Sequence, residues 1–537
     1  MSGWDFWNNP LVVTAMRLKY RKGSPGLTSS AYAVALLGIG GVLHYFELQP
    51  SGLPIPFGRA YLLAILALQF ALSGGMALFG VSSSITAEVA NRTLDFQRIV
   101  SLSPRQIMLG KMLGEPALGY FFALTTIPFA VICWFLGAAP GPVIVLLYVN
   151  LATFTVMAAS CGLMHTLVVP ENSPQKNKGS FAGLFIMAFF MLPSFLANSG
   201  AMLGNPWPAV VIGTLTPVAS LVQLAQGNAW DAIVPLWGLE IPSLVAAPIV
   251  QLAIAAWIVA AMSRRLRNTL DPPLKRSRVY AATLAVDLVA AGVCYAEYLG
   301  GTPLAEGVYR FCLAHLVASL MMTLAGTPSR DAVSSWMWRR RGRVPAWPER
   351  LWGDRSPALA MYAVQALIGV AVFLIAAWLP ASVNRGPLRP ADAAEILPPL
   401  LATGAFAVAL ATVFQALVAV ASKSGRGLAV FLIAMITILP PIIASVVNEM
   451  HGGRQDGGGA TDVLLGISPA GYLLGNISRW DGPTISAAAP LVTSAVLFAL
   501  AALALNSWIV ANSRTIGGKL AAMSVNQAAP GKQEVPA

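Results

Sequence analysis

The chain of 537 residues is strongly apolar and weakly charged, with 56% hydrophobic and 10% charged residues. A soluble globular domain carries about 25% charged residues, so this composition excludes an ordinary soluble enzyme or binding module. The net charge of +12 is, in a membrane protein, typical of inner loops that face anionic lipid, and we expect no nucleic-acid partner.

The first element along the chain is the segment 1–26, which we predict to be a cytoplasmic amphipathic entry helix. Pro10 suits a first helical turn, and basic residues such as Arg17 and Lys19 follow it among apolar ones. This mixture is typical of a helix on the inner membrane surface, and an ordinary basic anchor beside the membrane explains it equally well. The polar start Met1–Asn9 predicts no cleaved signal peptide.

Apolar stretches that could each cross about 30 Å of hydrocarbon recur along the rest of the chain. We predict an all-α integral membrane protein with twelve transmembrane helices in two homologous six-helix halves. These halves are 27–262 and 280–510, joined by a basic cytoplasmic linker at 263–279 and followed by a cytoplasmic tail at 511–537. The expected spans are 27–47, 60–80, 118–138, 143–169, 181–198, 241–262, 280–299, 308–327, 358–380, 397–420, 428–447 and 486–510.

The distribution of positive charge predicts the orientation. With both termini inside, 28 of the 34 lysines and arginines fall in inner segments, as the positive-inside rule requires. We therefore expect a multi-pass protein of the cell inner (cytoplasmic) membrane with both termini cytoplasmic. The two longer outer connections, 199–240 and 448–485, have room for re-entrant helices.

The two halves share short features in the same order. The tetrapeptide at Trp257–Ala260 recurs at Trp508–Ala511, and each copy is soon followed by a Ser-Arg pair. Thr216-Pro217 stands ahead of the first copy and Ser468-Pro469 ahead of the second, at nearly the same offset. An internal repeat in a membrane protein favours a transporter with a pathway between its halves.

The long inner segment 81–117 of the first half carries the most specific pattern. Acidic and basic residues alternate there, with apolar residues between them. Ser103 can cap a helix, with Pro104 in its first turn and Gln106 completing a capping box. We therefore predict a helix in this segment, then a sharp turn near Ser101–Ser103, and then a new helix that enters the third span.

The stretch Glu88–Arg98, the Leu-Ser-Pro turn at Leu102–Pro104 and the pair Gly110-Lys111 resemble the signature region of type-two ABC exporter permeases. The resemblance implies the membrane-spanning subunit of an ATP-driven exporter, in which this segment is a coupling helix that docks on a separate ATPase subunit. Asn91-Arg92 stand where that family commonly has glycine, and Asp95 stands for glutamate. The alternative is a generic amphipathic loop. The residues implicated in coupling to the ATPase are Glu88, Thr93, Leu94, Asp95, Phe96, Arg98, Ser103, Pro104 and Lys111.

No G-x-x-x-x-G-K-[ST] phosphate loop is present in the sequence. The chain is therefore expected to be a permease subunit and not an enzyme. Its cofactors, ATP and Mg, are expected in the partner ATPase. Because both halves are present, we expect one copy of this chain with two copies of the ABC ATPase, and a homodimer is the alternative. Membrane lipids are the other expected partners.

The second inner segment, 328–357, differs from the first. It contains a run of arginines and four tryptophans and lacks the Leu-Ser-Pro turn. One interpretation is a divergent second coupling element in which Trp347 and Arg350 contact the ATPase. The other is an interfacial belt, with tryptophan at headgroup depth and arginine on anionic lipid.

Asp287 is the deepest ionisable residue in the predicted spans and is a candidate intramembrane polar site. It is part of a proton or ion relay, a structural acid with a local partner, or an acid at the edge of the membrane. A relay would favour the alternative function, an ion-gradient-driven secondary transporter with twelve spans. A membrane-embedded enzyme or scaffold is a third hypothesis. It is disfavoured because no Ser-His-Asp or metal-binding pattern is evident and the four cysteines all fall in apolar stretches.

Overall fold

The chain divides into two compact units, Met1–Arg267 and Asn268–Ala537. The division falls within the predicted basic linker. The computed structural model describes residues 9–21, 25–49, 52–91, 93, 103–168, 214–227, 230, 233–267, 271–299, 304–340, 347–380, 390–420, 425–450, 460–478 and 486–528.

The described part of the first unit consists mostly of helices, with one small hairpin before the last of them. Its elements are α1 (Pro10–Arg21), α2 (Pro25–Glu47), α3 (Phe57–Ala90), α4 (Pro104–Gly114), α5 (Ala117–Phe135), α6 (Gly141–Val168), α7 (Val218–Gln226), β1 (Ile233–Leu236), β2 (Leu239–Pro242) and α8 (Ser243–Arg267).

Within its described residues, the regular elements of the second unit are all helices. Its elements are α9 (Arg276–Leu299), α10 (Leu304–Gly326), α11 (Arg330–Arg340), α12 (Trp347–Trp352), α13 (Leu359–Pro380), α14 (Pro390–Val420), α15 (Gly425–Met450), α16 (Ala460–Ile467), α17 (Pro469–Ser478) and α18 (Ala488–Ala528).

Ten of the described helices are long and apolar enough to cross a membrane: α2, α3, α5, α6 and α8, then α9, α10, α13, α14 and α18. The chain is therefore a multi-pass membrane protein. The span expected at 181–198 lies outside the described residues. The span expected at 428–447 falls in α15, whose apolar stretch Leu428–Ala444 is shorter than the other ten. The prediction of twelve spans is not confirmed.

Two helices run further than the sequence analysis predicts. α3 continues to Ala90 instead of ending near residue 80, and α18 continues to Ala528 through most of the predicted tail. Neither extension contains a proline, so nothing in the backbone forces either helix to stop. Hydropathy locates the apolar part of a helix but does not locate its end.

The described helices agree with the predicted all-α class, and the short hairpin β1–β2 is an addition that the sequence does not predict. Val234 pairs with Ile241 and Leu236 with Leu239 in an antiparallel ladder. The two residues between the strands, Trp237 and Gly238, both have positive φ, 53° and 80°. Positive φ at both central residues is the requirement of a tight type I′ turn, which glycine meets readily and tryptophan does not. Strands of four residues are too short for alternation to reveal them.

The core of the first unit lies where α3 packs on α6. Ile65 and Leu66 of α3 and Leu147 of α6 are completely buried. By contrast, Leu27 and Leu37 of α2 are more than 60% exposed. Large apolar side chains on the outside are expected of a helix that faces hydrocarbon, since lipid takes the place of the protein core there.

Candidate functional site

The predicted helix start after residues 101–103 is confirmed. The hydroxyl of Ser103 accepts a hydrogen bond from the backbone N–H of Gln106 at 3.3 Å, and the side-chain oxygen of Gln106 accepts one from the backbone N–H of Ser103 at 2.8 Å. Pro104 occupies the first turn of α4. This reciprocal capping box satisfies two N–H groups that the helix leaves without partners. It fixes where α4 begins.

The entry helix α1 packs on α4 through glycines. A Cβ atom placed on Gly110 would lie 2.6 Å from Cβ of Leu11, and one placed on Gly114 would lie 2.6 Å from Cβ of Ala15. Glycines four residues apart on one face let two helix backbones approach closely. The side-chain amide of Asn9 adds a hydrogen bond of 2.7 Å to the carbonyl of Gln106. α1 is therefore attached directly to the start and the face of α4.

An ion pair joins α4 to the end of α3. Nζ of Lys111 contacts a carboxylate oxygen of Glu88 and also donates to the hydroxyl of Ser84 at 2.7 Å. The two charged side chains are only 10% and 18% exposed. Two of the predicted coupling residues therefore face each other inside the first unit, and a contact of Glu88 with an ATPase stays a prediction.

Of the remaining predicted coupling residues, the structure describes Thr93 alone. Thr93 is exposed, and its hydroxyl donates to the carbonyl of Glu88 at 3.3 Å. Leu94, Asp95, Phe96 and Arg98 lie outside the described residues. The structure thus brings together Glu88, Lys111, Ser103 and Pro104 around α4, and a coupling role for the whole set stays a prediction.

In the second unit a single buried arginine holds the end of the inner segment. Nη2 of Arg276, at the start of α9, donates to the carbonyls of Ser356 at 2.6 Å and Pro357 at 3.1 Å, and Nη1 contacts the carbonyl of Arg350. The hydroxyl of Tyr280 donates to the carbonyl of Leu351 at 2.8 Å. Nothing in the sequence marks Arg276 as buried, because it reads as one of several basic linker residues.

These bonds fix the position of α12, which carries the predicted coupling residues Trp347 and Arg350. Trp347 is the first residue of α12, and the carbonyl of Arg350 faces Arg276, while the Arg350 side chain is half-buried. α11 is attached elsewhere: Asn512 of α18 donates to the hydroxyl of Ser334 at 3.0 Å. The second inner segment is therefore bonded to α9 at one end and to α18 at the other.

Asp287 is buried in α9, a helix of membrane-crossing length, and its partner is His315. Nδ1 of His315 lies 2.9 and 3.0 Å from the two carboxylate oxygens, and Nε2 lies 3.2 Å from the hydroxyl of Ser319. Asp287 is 0% exposed and His315 3%. The structure thereby adds a histidine to the candidate site. The two residues lie on separate helices, so their spacing in the sequence does not predict that they are partners.

This cluster corrects the expectation that no Ser-His-Asp arrangement exists. Acid, imidazole and hydroxyl stand in the order used by serine hydrolases. However, Ser319 lies inside α10, where each backbone N–H donates to the carbonyl one turn earlier, so no pair of donors is available around it for an oxyanion. Ser319 is also only 3% exposed. The cluster therefore lacks what acyl transfer requires.

The first unit has a buried polar cluster of its own, between α6, α7 and α8. The side-chain amide of Gln251 donates to Asn150 at 2.9 Å and accepts from the hydroxyl of Thr153 at 2.7 Å. Asn150 donates in turn to Ser220 at 3.3 Å. These uncharged groups satisfy each other, as buried polar groups in a membrane must. They were missed because single amides in apolar helices give little sequence signal.

All four cysteines are free and buried, which agrees with their assignment as small apolar residues. Among the residues that the structure describes, no three His, Cys, Asp or Glu side chains lie close enough together to hold a metal ion. The chain matches no protein-family model, no curated protein and no solved structure. Its function must therefore be argued from its own residues.

Proposed function

We propose that the chain is the membrane-spanning permease subunit of an ATP-driven exporter of the ABC type, working with a separate ATPase. The observation that carries this proposal is the way α4 is held. It is capped by its own first residues, packed on α1 through two glycines, and ion-paired to α3. A passive connector needs none of these contacts, whereas an element that receives force must be joined to the spans it moves.

The proposal includes two homologous halves. The helices α2, α3, α5, α6 and α8 would correspond in order to α9, α10, α13, α14 and α18. In both units the second helix of this series packs on the first, third and fourth, and the fourth packs on the last. The inner helices α4 and α11 likewise each contact the fourth and the last. The repeated Trp-Ile-Val-Ala tetrapeptides lie on α8 and α18. A duplicated unit would retain such a set of neighbours.

In this scheme ATP and Mg bind in the partner ATPase, two copies of which serve one copy of this chain. Force enters the first unit through the segment between α3 and α4, and the second through α11 and α12. The positive-inside rule places the basic ends of the helices, and both termini, on the cytoplasmic side of the inner membrane.

Purification of the tagged chain from its native membrane tests the proposal. We expect an ATPase subunit with a phosphate loop to co-purify, to hydrolyse ATP, and to give a complex of one permease chain with two ATPase chains by native mass spectrometry. Two copies of this chain in the active complex would instead indicate a homodimer. A purified chain that transports its substrate without any ATPase would contradict the proposal.

A gradient-driven carrier is the second candidate, and the buried contact between Asp287 and His315 favours it. Ionisable residues at membrane depth commonly serve proton relays. The two candidates differ in membrane vesicles. For an ATP-driven exporter, Asp287→Asn should leave transport with ATP largely intact. For a carrier, the same variant should lose transport driven by a pH gradient, and this loss would favour the second candidate.

A further inference from the structure

The buried pair Asp287 and His315 is enclosed by three helices of the second unit. α9 supplies the carboxylate and α10 supplies the imidazole and Ser319. The ring of Phe311 lies parallel to the imidazole, one turn away, with 6.2 Å between ring centroids. Each polar atom of the imidazole therefore has a protein partner, and its flat face is covered by another ring.

α13 closes the remaining side of the site. A Cβ atom placed on Gly369 would lie 2.5 Å from the imidazole ring. The α13 backbone therefore rests directly on His315, and only glycine allows this approach. Water reaches the ring from this side only if α13 moves away from α10.

The charges around the pair are few. Among the residues that the structure describes, the titratable groups that face it are the two partners themselves and the thiol of Cys312 on α10. α13 contributes Gly369 and the amide of Gln365, which donates to Thr283 of α9 at 3.1 Å, and α14 contributes the hydroxyl of Thr403 near Cys312. The neutralising charge for either partner thus comes from the other.

We infer that Asp287 and His315 form a proton-binding site that holds one proton within the folded second unit, with Ser319 positioning the ring. A pair that shares one proton is neutral overall, either as carboxylate with imidazolium or as carboxylic acid with imidazole. Loss of that proton would leave a carboxylate hydrogen-bonded to a neutral imidazole, with no positive charge to neutralise it in an enclosed apolar setting, which is costly. Exchange of the proton with water requires α13 to separate from His315.

This inference does not depend on the proposed function, because such a site can exist in an ATP-driven permease or in a carrier. It predicts how unfolding depends on pH. Between about pH 4 and 6.5 the unfolded pair also holds one proton, on histidine, so wild-type stability does not vary through this site. Above about pH 6.5 the unfolded chain releases that proton and the folded chain retains it. The free energy of unfolding of the wild type therefore decreases as the pH rises.

Equilibrium unfolding of the full chain in mixed detergent micelles, from pH 5 to 8, tests this. In Asp287→Asn the folded histidine is neutral, so the variant binds a proton only when unfolded and below about pH 6.5. We expect its unfolding constant, divided by that of wild type, to fall about tenfold per pH unit across the whole range. His44→Gln removes a largely exposed histidine and should leave the wild-type profile unchanged.

A pH-independent ratio for Asp287→Asn would overturn the inference, because it would mean that variant and wild type fold with the same number of protons. Should that variant not fold, His315→Gln gives an independent answer of opposite sign. Its lone buried carboxyl must keep a proton that the unfolded chain loses above about pH 4, so its unfolding constant relative to wild type should rise about tenfold per unit up to about pH 6.5 and then level off. No such rise would also overturn the inference.

Discussion

Nη2 of Arg276 donates to the backbone carbonyl of Ser356 at 2.6 Å, and this bond joins the start of α9 to the end of the second inner segment. The same guanidinium reaches the carbonyls of Arg350 and Pro357. Bonds from a charged donor are stronger than neutral ones. One side chain thus organises a stretch of chain that has little regular structure of its own.

Arg276→Gln should destabilise the second unit. The shorter, neutral side chain cannot reach these carbonyls, and each buried acceptor left without a donor costs about 1–3 kcal/mol, so we expect a loss of about 3 kcal/mol. Detergent unfolding followed by circular dichroism measures it. Arg278→Gln is the matched control, since Arg278 lies on the same helix and is exposed. Equal stability of the two variants would show that the carbonyl contacts of Arg276 contribute nothing.

Gly110→Ala should separate α1 from α4. The new methyl group would lie 2.6 Å from Cβ of Leu11, so the helices must shift, at a cost of about 1–3 kcal/mol. Gly75→Ala is the control, because a Cβ on Gly75 of α3 meets no atom within 4 Å, and alanine favours the helix. We expect Gly75→Ala to be neutral or stabilising in the same unfolding assay. A neutral Gly110→Ala would show that α1 and α4 are not closely packed.

The pair Glu88 and Lys111 allows a charge-swap experiment. Lys111→Glu alone places two acids beside each other between α3 and α4 and should cost about 2 kcal/mol of stability. The double variant Glu88→Lys with Lys111→Glu restores an ion pair and should recover most of that loss. An absence of recovery in this double-mutant cycle would mean that the two residues do not interact. ATPase activity of the complex, if recovered in parallel, would connect the pair to coupling.

The coupling assignment itself rests on residues that follow Glu88 in the sequence. Leu94→Ala with Phe96→Ala should weaken ATPase association or uncouple hydrolysis from transport, since apolar anchors carry about 2 kcal/mol or more each at an interface. Asp95→Lys should give a salt-sensitive defect if that acid lies at an exposed rim. Co-purification and substrate-stimulated ATP hydrolysis in reconstituted membranes are the measurements. Normal binding, hydrolysis and transport in these variants would show that the segment is only a linker.

Variants in the second inner segment, 328–357, can be compared with those in the first. Trp347→Ala with Arg350→Ala, tested in the same assays, should have a smaller effect than the first-half variants if coupling is asymmetric. The backbone of Arg350 is engaged by Arg276, so its position is fixed even when its side chain is removed. An effect as large as that in the first half would favour two equivalent contacts.

Local chemistry explains which features could be predicted from sequence. The start of α4 depends on Ser103, Pro104 and Gln106, three neighbours whose spacing alone specifies a capping box. The ten described helices that could cross a membrane all lie at apolar stretches whose length predicts a span. In contrast, the contacts of Arg276 and the pairing of Asp287 with His315 join residues 28 or more positions apart. Such pairs depend on which helix faces are brought together, and hydropathy carries no information about that.

The glycines also show that a local feature can be predicted from sequence while its long-range contact cannot. Gly110 and Gly114 are four residues apart on a helix that could be predicted, yet their role against Leu11 and Ala15 depends on α1 folding back over α4. A small-residue motif predicts that some helix approaches closely but does not say which one. The hairpin turn at Trp237 was likewise beyond prediction, since tryptophan rarely adopts positive φ.

The length of α18 has a mechanical consequence. Its 41 residues extend for about 60 Å as one helix, whereas the hydrocarbon layer is about 30 Å thick. A stiff rod anchored in the bilayer magnifies small rotations: a tilt of about 10° at the midplane displaces an end some 40 Å away by about 7 Å. Asn512, which bonds α11 to this rod, lies about 16 Å from the centre of the span, so the same tilt moves it by about 3 Å. Distance measurements between spin labels would therefore detect a rocking of the last span best at the far end of α18.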